Sequence, residues 1–318
     1  MNPSRQETHA EVKTDRILIL RGGALGDLIL TFPLFQSVRA AWPNARIELA
    51  AYAPQGRLAV ASGLVDSLIS LDDAAFASLF SPQADFGCEQ TRGLRAFDRV
   101  LSLLHDPGGI AEGRLRRSCA GRVVCRSPRV VSGHAADHFL AVAADLGIEA
   151  AARYPRLAIQ ASRTDTGRNV ILHPGSGSPR KNWPLEQFVA LAERLDKGGI
   201  GTPVWLLGEA EEPQRTRLEG MGTRFRLLTG LGILDAARSL AGGLGYVGND
   251  SGVTHLAAAL GIPTVAVFGP TDPDTWGPRG PNVAVVRAGA GMTGPLETIG
   301  PEAVLEALEG LIRACPPA

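Results

Sequence analysis

The chain has 318 residues, enough for two ordinary domains or one large one, and too many to need disulfides or a metal to hold a core together. Thirty-two Lys and Arg balance thirty-two Asp and Glu, and 45% of the residues are hydrophobic, which argues against a disordered chain and against a wholesale nucleic-acid or membrane-surface binder. Aromatic residues are only 5% beside 38 Gly and 22 Pro, so an α/β chain with many short loops is expected, not an aromatic-rich β-sandwich.

The first fifteen residues, MNPSRQETHAEVKTD, are polar and hold no apolar run of the signal-peptide kind, so residues 1–15 read as a disordered extension. No stretch elsewhere reaches the ~18 uninterrupted apolar residues of a membrane span. Cys88, Cys119, Cys125 and Cys315 form no CxxC pair and no Cys/His ligand spacing, which predicts a reducing, cytoplasmic setting without structural zinc.

From Arg16, RILIL is a short aliphatic run that suits a buried parallel strand, and it leads into the glycine loop GGALGD. The apolar residues Leu28, Phe32, Phe35 and Val38 then recur at helical spacing, and RIELAAYA alternates like a second strand, which makes a βαβ start. From Arg92 to Arg129 nine Arg stand against three acids, a local positive excess that suits an anionic partner and is too poor in aromatics for nucleic-acid stacking. His134 and His138, at i,i+4 with Asp137 between them, read as a polar helix face in the absence of a third metal ligand.

Helical periodicity lapses between Pro155 and Arg168, where a linker is expected. A second series then starts at Asn169: VILHPG, a helix over PLEQFVALAERLD, the strand TPVWLLG, a helix over ILDAARSLAGG, the strand YVGND, then THLAAALG and TVAVFGP. PEAVLEALEGLIRA closes the chain as a helix able to pack on either half. Two Rossmann-like lobes facing a cleft are expected, residues 16–160 and 161–318, because open α/β sheets take ligands beyond the carboxyl ends of their strands.

Three stretches could carry chemistry. HPGSGSPRKNWP, His173 to Pro184, follows a strand and precedes a helix; Gly175 and Gly177 let backbone approach a ligand, Ser176 and Ser178 offer hydroxyls, and Arg180 and Lys181 supply charge, so a diphosphate fits there. No Gly-Lys-Ser/Thr follows, which disfavours a Walker A loop. In GNDSGVTHLAAALG, Asp250, Ser251, Gly252 and Thr254 occupy a strand-to-helix junction that attracts anions, with His255 beside them; the same residues would also serve as an ordinary helix cap. GGALGD sets Asp27 at the mouth of the first strand, either as a first-turn carboxylate stabilised by the helix dipole or as a general base facing the cleft. Its spacing is not G-x-G-x-x-G.

The order and spacing of these stretches resemble glycosyltransferase family 9, the bacterial ADP-heptose:lipopolysaccharide heptosyltransferases, from Arg16 to about Arg313. The resemblance implies a GT-B fold with the acceptor in the N-terminal lobe and the nucleotide-sugar donor in the C-terminal lobe. It places Asp27 at the catalytic carboxylate of G-D-x-[ILV], Lys181 at the phosphate-contacting lysine of K-x-W-P, and Asp250, Ser251, Gly252 and His255 in the donor-binding D-[ST]-G-x-x-H. Glu211 is the best match for the ribose-binding acid, with Glu209 and Glu212 as alternatives, and Ser176 and Gly177 join the donor set.

The implied activity is inverting, metal- and cofactor-independent transfer of a heptose or related sugar from a nucleoside diphosphate, ADP-heptose above all, to a lipopolysaccharide-core glycolipid. Asp27 and Lys181 would act from opposite lobes. From the charge count alone, Arg114, Arg116 and Arg117 are candidate acceptor contacts, with peripheral contact at the inner membrane. A non-catalytic nucleotide-sugar binder of the same fold is the alternative; a nicotinamide-dependent dehydrogenase is disfavoured by the missing dinucleotide fingerprint.

Overall fold

This computed structural model describes residues 14–81, 88–162, 168–289 and 294–315. Five strands form the first sheet: β1 (Arg16–Leu20), β2 (Arg46–Ala51), β3 (Ser67–Ser70), β4 (Arg99–Ser102) and β5 (Arg122–Cys125), all parallel in the order β3-β2-β1-β4-β5. The second sheet holds β6 (Asn169–His173), β7 (Thr202–Leu207), β8 (Arg226–Thr229), β9 (Gly245–Asn249), β10 (Thr264–Phe268) and β11 (Val283–Arg287), parallel in the order β11-β10-β9-β6-β7-β8. Both sheets reverse their strand order once, between β1 and β4 and between β6 and β9. Such a reversal opens a crevice at the carboxyl edge, and the three glycine loops leave β1, β6 and β9 there.

The aliphatic runs are buried on both faces, which is why they read as continuous and not alternating. Ile17 and Ile19 enter a core with Phe32, Phe35 and Phe139, whereas Leu18 and Leu20 pack on the other face with Val100 and Leu115. The first of these cores is shared between the lobes: Leu28 and Ile29 belong to the same cluster as Leu256 and Ala257. The helices Leu25–Ile29 and Gly252–Leu260 therefore meet across the cleft.

The helix expected from Leu28 is two helices, Leu25–Ile29 and Phe32–Ala41. Pro33 accounts for the break, since it has no N–H to give Ile29 and its ring would collide with that carbonyl. Thr31 Oγ1 fills the gap by donating to Asp27 O at 2.9 Å. The expected extension is ordered at its end: Asp15 accepts from Arg99 Nη1 at 2.6 Å and its carbonyl accepts from Arg46 N, while residues 1–13 lie outside the described residues.

The described part of the expected linker is irregular yet tied down, with Leu157 N donating to Ala259 O at 2.8 Å and Ser162 N to Arg238 O at 3.1 Å; residues 163–167 lie outside the described residues. The closing helix, Pro301–Ala314, buries Val304 and Leu308 against Leu191 and Val247, which assigns it to the second sheet. No helix among the described residues is long and apolar enough to cross a membrane.

Candidate functional site

Asp27 is the third residue of the Leu25–Ile29 helix, and its Oδ2 accepts from Ala24 N at 3.0 Å, so the short helix orients the carboxylate at its own N-terminus. Behind it stands Arg21, 3% exposed. Its Nε donates to Thr31 Oγ1 at 2.9 Å, its Nη2 donates to Asp27 O at 3.0 Å and lies 3.9 Å from Asp27 Oδ1, and its guanidinium sits 4.5 Å from the Phe139 ring centroid. Burial pulls the Arg21 pKa down to about 10 against the opposing pull of Asp27, which leaves it a cation at neutral pH. Sequence reasoning had no signal for this residue beyond a charge at the end of an aliphatic run.

From the second lobe, the 174–183 loop is stitched to the end of β9 by Asn249, whose Nδ2 donates to Pro174 O at 2.8 Å and whose Oδ1 accepts from Trp183 N at 2.8 Å. That brings Lys181, in the short 3-10 turn Pro179–Lys181, to Asp250: Nζ and Oδ2 are 2.7 Å apart. Ser251 caps the Gly252–Leu260 helix by accepting from Thr254 N. The amides of Gly252 and Val253 precede any carbonyl the helix could offer them, so they are donors for an anion placed at this end.

His255 is 5% exposed, and its Nδ1 is buried without a partner among the described residues. A Cβ on Gly26 would lie 2.9 Å from His255 Cδ2, so the glycine of the first-lobe loop is what lets the imidazole approach it. Burial pushes the His255 pKa down to about 4, although Asp250 and Asp27 pull the other way. The imidazole is neutral at neutral pH, and the positive charge of the site comes from Lys181.

A cavity of about 320 Å³ lies between the lobes and is lined by Asp27, Gly177, Lys181, Asp250, Ser251, Gly252 and His255. A second cavity, about 630 Å³, lies within the first lobe and is lined by Arg21, Tyr52, Phe76, His105, Arg129 and, again, Asp27. The carboxylate of Asp27, about one-third exposed, thus borders both spaces.

Other expected residues are placed differently. Ser176 Oγ donates to Asn182 Oδ1 at 2.6 Å and accepts from Ser178 N at 3.2 Å, so this hydroxyl shapes its own loop and does not line the inter-lobe cavity. Glu211 is buried, with Oε2 accepting from Gly208 N at 2.8 Å, whereas Glu209 and Glu212 are exposed. Glu211 packs so tightly on the 174–178 loop that a Cβ on Gly175 would fall 2.1 Å from its Oε1.

The arginine trio lies away from both cavities. Arg114, Arg116 and Arg117 ride on the helix Ile110–Ser118: Arg114 donates to Ser78 O, Arg116 pairs with Glu112 at 2.8 Å and reaches Val123 O, and none of the three lines either cavity. Part of the local excess is neutralised by acids from outside the segment, since Arg99 pairs with Asp15 and Arg126 with Asp145. A charge count reads the sum along the chain, not the carbonyls and carboxylates that folding brings up. Arg129 is the member of the cluster that borders the larger cavity.

The sequence profile of "Glycosyltransferase family 9 (heptosyltransferase)" matches residues 135–297. Lipopolysaccharide heptosyltransferase 1 of Escherichia coli (strain K12) is 34% identical over 152 residues, 46% of this chain and 46% of that one, so the matched stretch spans about half the length of this curated relative. Among solved structures, a glycosyl transferase family 9 protein from Veillonella parvula superposes with a TM-score of 0.78 at 22% identity, over 94% of this chain and 98% of that one. The E. coli heptosyltransferase WaaC with ADP gives 0.73 at 21% identity, over 93% and 99%. These two likenesses show the two-lobed fold.

Proposed function

This chain belongs to glycosyltransferase family 9, and we propose that it transfers a heptose from ADP-heptose to a hydroxyl of an anionic, lipopolysaccharide-core glycolipid. The observation that carries the reading is Asp27 as the common wall of the two cavities, because a transferase needs one base reachable from both substrates. A protein that only bound the nucleotide sugar would need that carboxylate only for its contact with Ala24 N, not at the wall of a second cavity.

In this reading the diphosphate takes the first-turn amides of the Gly252–Leu260 helix and Lys181, which turns from Asp250 to the phosphate oxygens. Glu211, the buried one of the three candidate acids, serves the ribose hydroxyls. The acceptor occupies the first-lobe cavity, its hydroxyl against Asp27. Asp27 takes the hydroxyl proton as the oxygen attacks the anomeric carbon from the face opposite the diphosphate; the new C–O bond forms as the old one breaks, and the electron pair leaves with the nucleoside diphosphate. Lys181 and the helix terminus stabilise that growing negative charge.

Arg21 holds the carboxylate in place from behind through Asp27 O and Thr31. An acceptor seated in a bilayer would bring the mouth of the first-lobe cavity to the membrane surface, with Arg129 at its wall and Val131, 88% exposed, two residues on.

Thermal-shift titrations with ADP, UDP and NAD, followed by a transfer assay with ADP-heptose and a core-oligosaccharide acceptor, test the reading. ADP should stabilise by ~2.7 kcal/mol at about a hundred times its Kd, and ADP-heptose should be consumed only with acceptor present. Stabilisation by NAD alone, or no transfer despite ADP binding, would overturn it.

A further inference from the structure

The turn that follows β10 belongs to the second lobe by chain but is held by the first. His134 caps the helix Ala135–Leu140 by accepting from Ala136 N at its Nδ1, so the ring proton sits on Nε2, which donates to Gly277 O at 2.9 Å. Two residues on, Arg279 grips Asp137 with both terminal nitrogens, at 2.6 and 2.7 Å. Immediately before this clasp stands Trp276, packed by part of its surface on the shared core. The rest of it lines the inter-lobe cavity with Asp27, Lys181 and His255.

Trp276 is the one Trp, Tyr or Phe among the residues lining that cavity. A diphosphate or a ribose has no need of such a wall. A pyranose does: one face of the ring presents C–H groups, and a flat indole removes that face from water while the hydroxyls at the ring edge keep their hydrogen bonds. We propose that Trp276 is the specificity-determining wall for the transferred sugar, packing on the C–H face of the pyranose next to Asp27, and that the His134–Gly277 and Asp137–Arg279 contacts hold it there. The inference rests on the donor lying in the inter-lobe cavity, as proposed above. It adds a clasp spanning more than a hundred residues of sequence whose purpose is to present one side chain.

The test is calorimetry with ADP and with ADP-heptose on wild type, Trp276→Ala, Trp276→Phe and Arg279→Gln. Trp276→Ala should weaken ADP-heptose by about tenfold or more and ADP by less than about twofold, Trp276→Phe should recover most of the loss, and Arg279→Gln should lose about threefold for ADP-heptose only. Intrinsic fluorescence gives a second readout. Trp183 and Trp205 are buried and Trp42 lies under the Arg99 guanidinium, so the change on sugar binding should vanish in Trp276→Phe. Wild type that binds ADP-heptose with a Trp276→Ala variant equally tight, or equally weakened for ADP and ADP-heptose, would overturn this inference alone. Wild type that binds neither would overturn the donor-site reading and this inference with it.

Discussion

The buried imidazole of His255 makes stability depend on pH in a calculable way. Burial disfavours imidazolium, so the folded pKa, about 4, lies below the ordinary histidine value of 6.5. Between the two the unfolded chain takes up a proton that the folded chain refuses, and stability falls as pH falls through that window. Integrated from about pH 7 to about pH 4.5, the loss from this one group is on the order of 2 kcal/mol. His134 and His173 are also held below their ordinary value by burial and add to the loss in the same direction. Asp66 and Asp137, held low chiefly by Arg39 and Arg279, lose their contribution only at more acid pH, below the ordinary carboxylate value. Urea unfolding of wild type and His255→Gln at about pH 7 and about pH 4.5 isolates His255. The variant should lose less than wild type over that interval, by on the order of 2 kcal/mol, with most of the remaining fall shared by both. Equal losses in the two proteins would refute the reasoning, because the imidazole would then titrate alike folded and unfolded.

Lys181→Ala should weaken ADP by about 1.5–3 kcal/mol, the scale of a charge-assisted hydrogen bond, and adenosine much less; equal losses by calorimetry would take the lysine off the phosphates. Arg129→Gln should raise the acceptor KM several-fold and leave ADP affinity unchanged, whereas the Arg114, Arg116 and Arg117 triple Gln variant should leave the acceptor KM within about twofold, as expected for side chains that line neither cavity. Steady-state kinetics at low salt decides between them. Transfer should survive EDTA, because in the proposed reading Lys181 and the helix amides supply the positive charge that meets the leaving diphosphate. Loss of activity restored by magnesium would contradict this.

What could be read from the sequence was what is local. RILIL, VILHPG and YVGND announce central parallel strands by their aliphatic runs, and the loops after them carry residues that line the inter-lobe cavity, since strand ends at a reversal point are where such sheets open a crevice. Asp27, Lys181, Asp250 and His255 were legible for that reason. Ser176 and Arg114 show the limit: residue type was right for an anion, but their hydrogen-bonding capacity goes to Asn182 and Ser78, partners visible only once the chain is folded. The clasp was out of reach as well. His134 and Asp137 look like one polar helix face, and nothing local announces that Gly277 and Arg279 complete them. Trp276 could have been suspected from TDPDTW directly after the TVAVFGP strand, a position that the strand-end rule covers.

The proposed transfer requires Asp27 to act as a base between two substrates. Asp27→Asn keeps the shape of the side chain and its contact with Ala24 N while removing basicity. With ADP-heptose and acceptor saturating, turnover in a rapid-quench experiment should fall by about 10²-fold or more, with ADP-heptose affinity measured in parallel changed by less than about twofold. Near-normal turnover in Asp27→Asn would contradict the account.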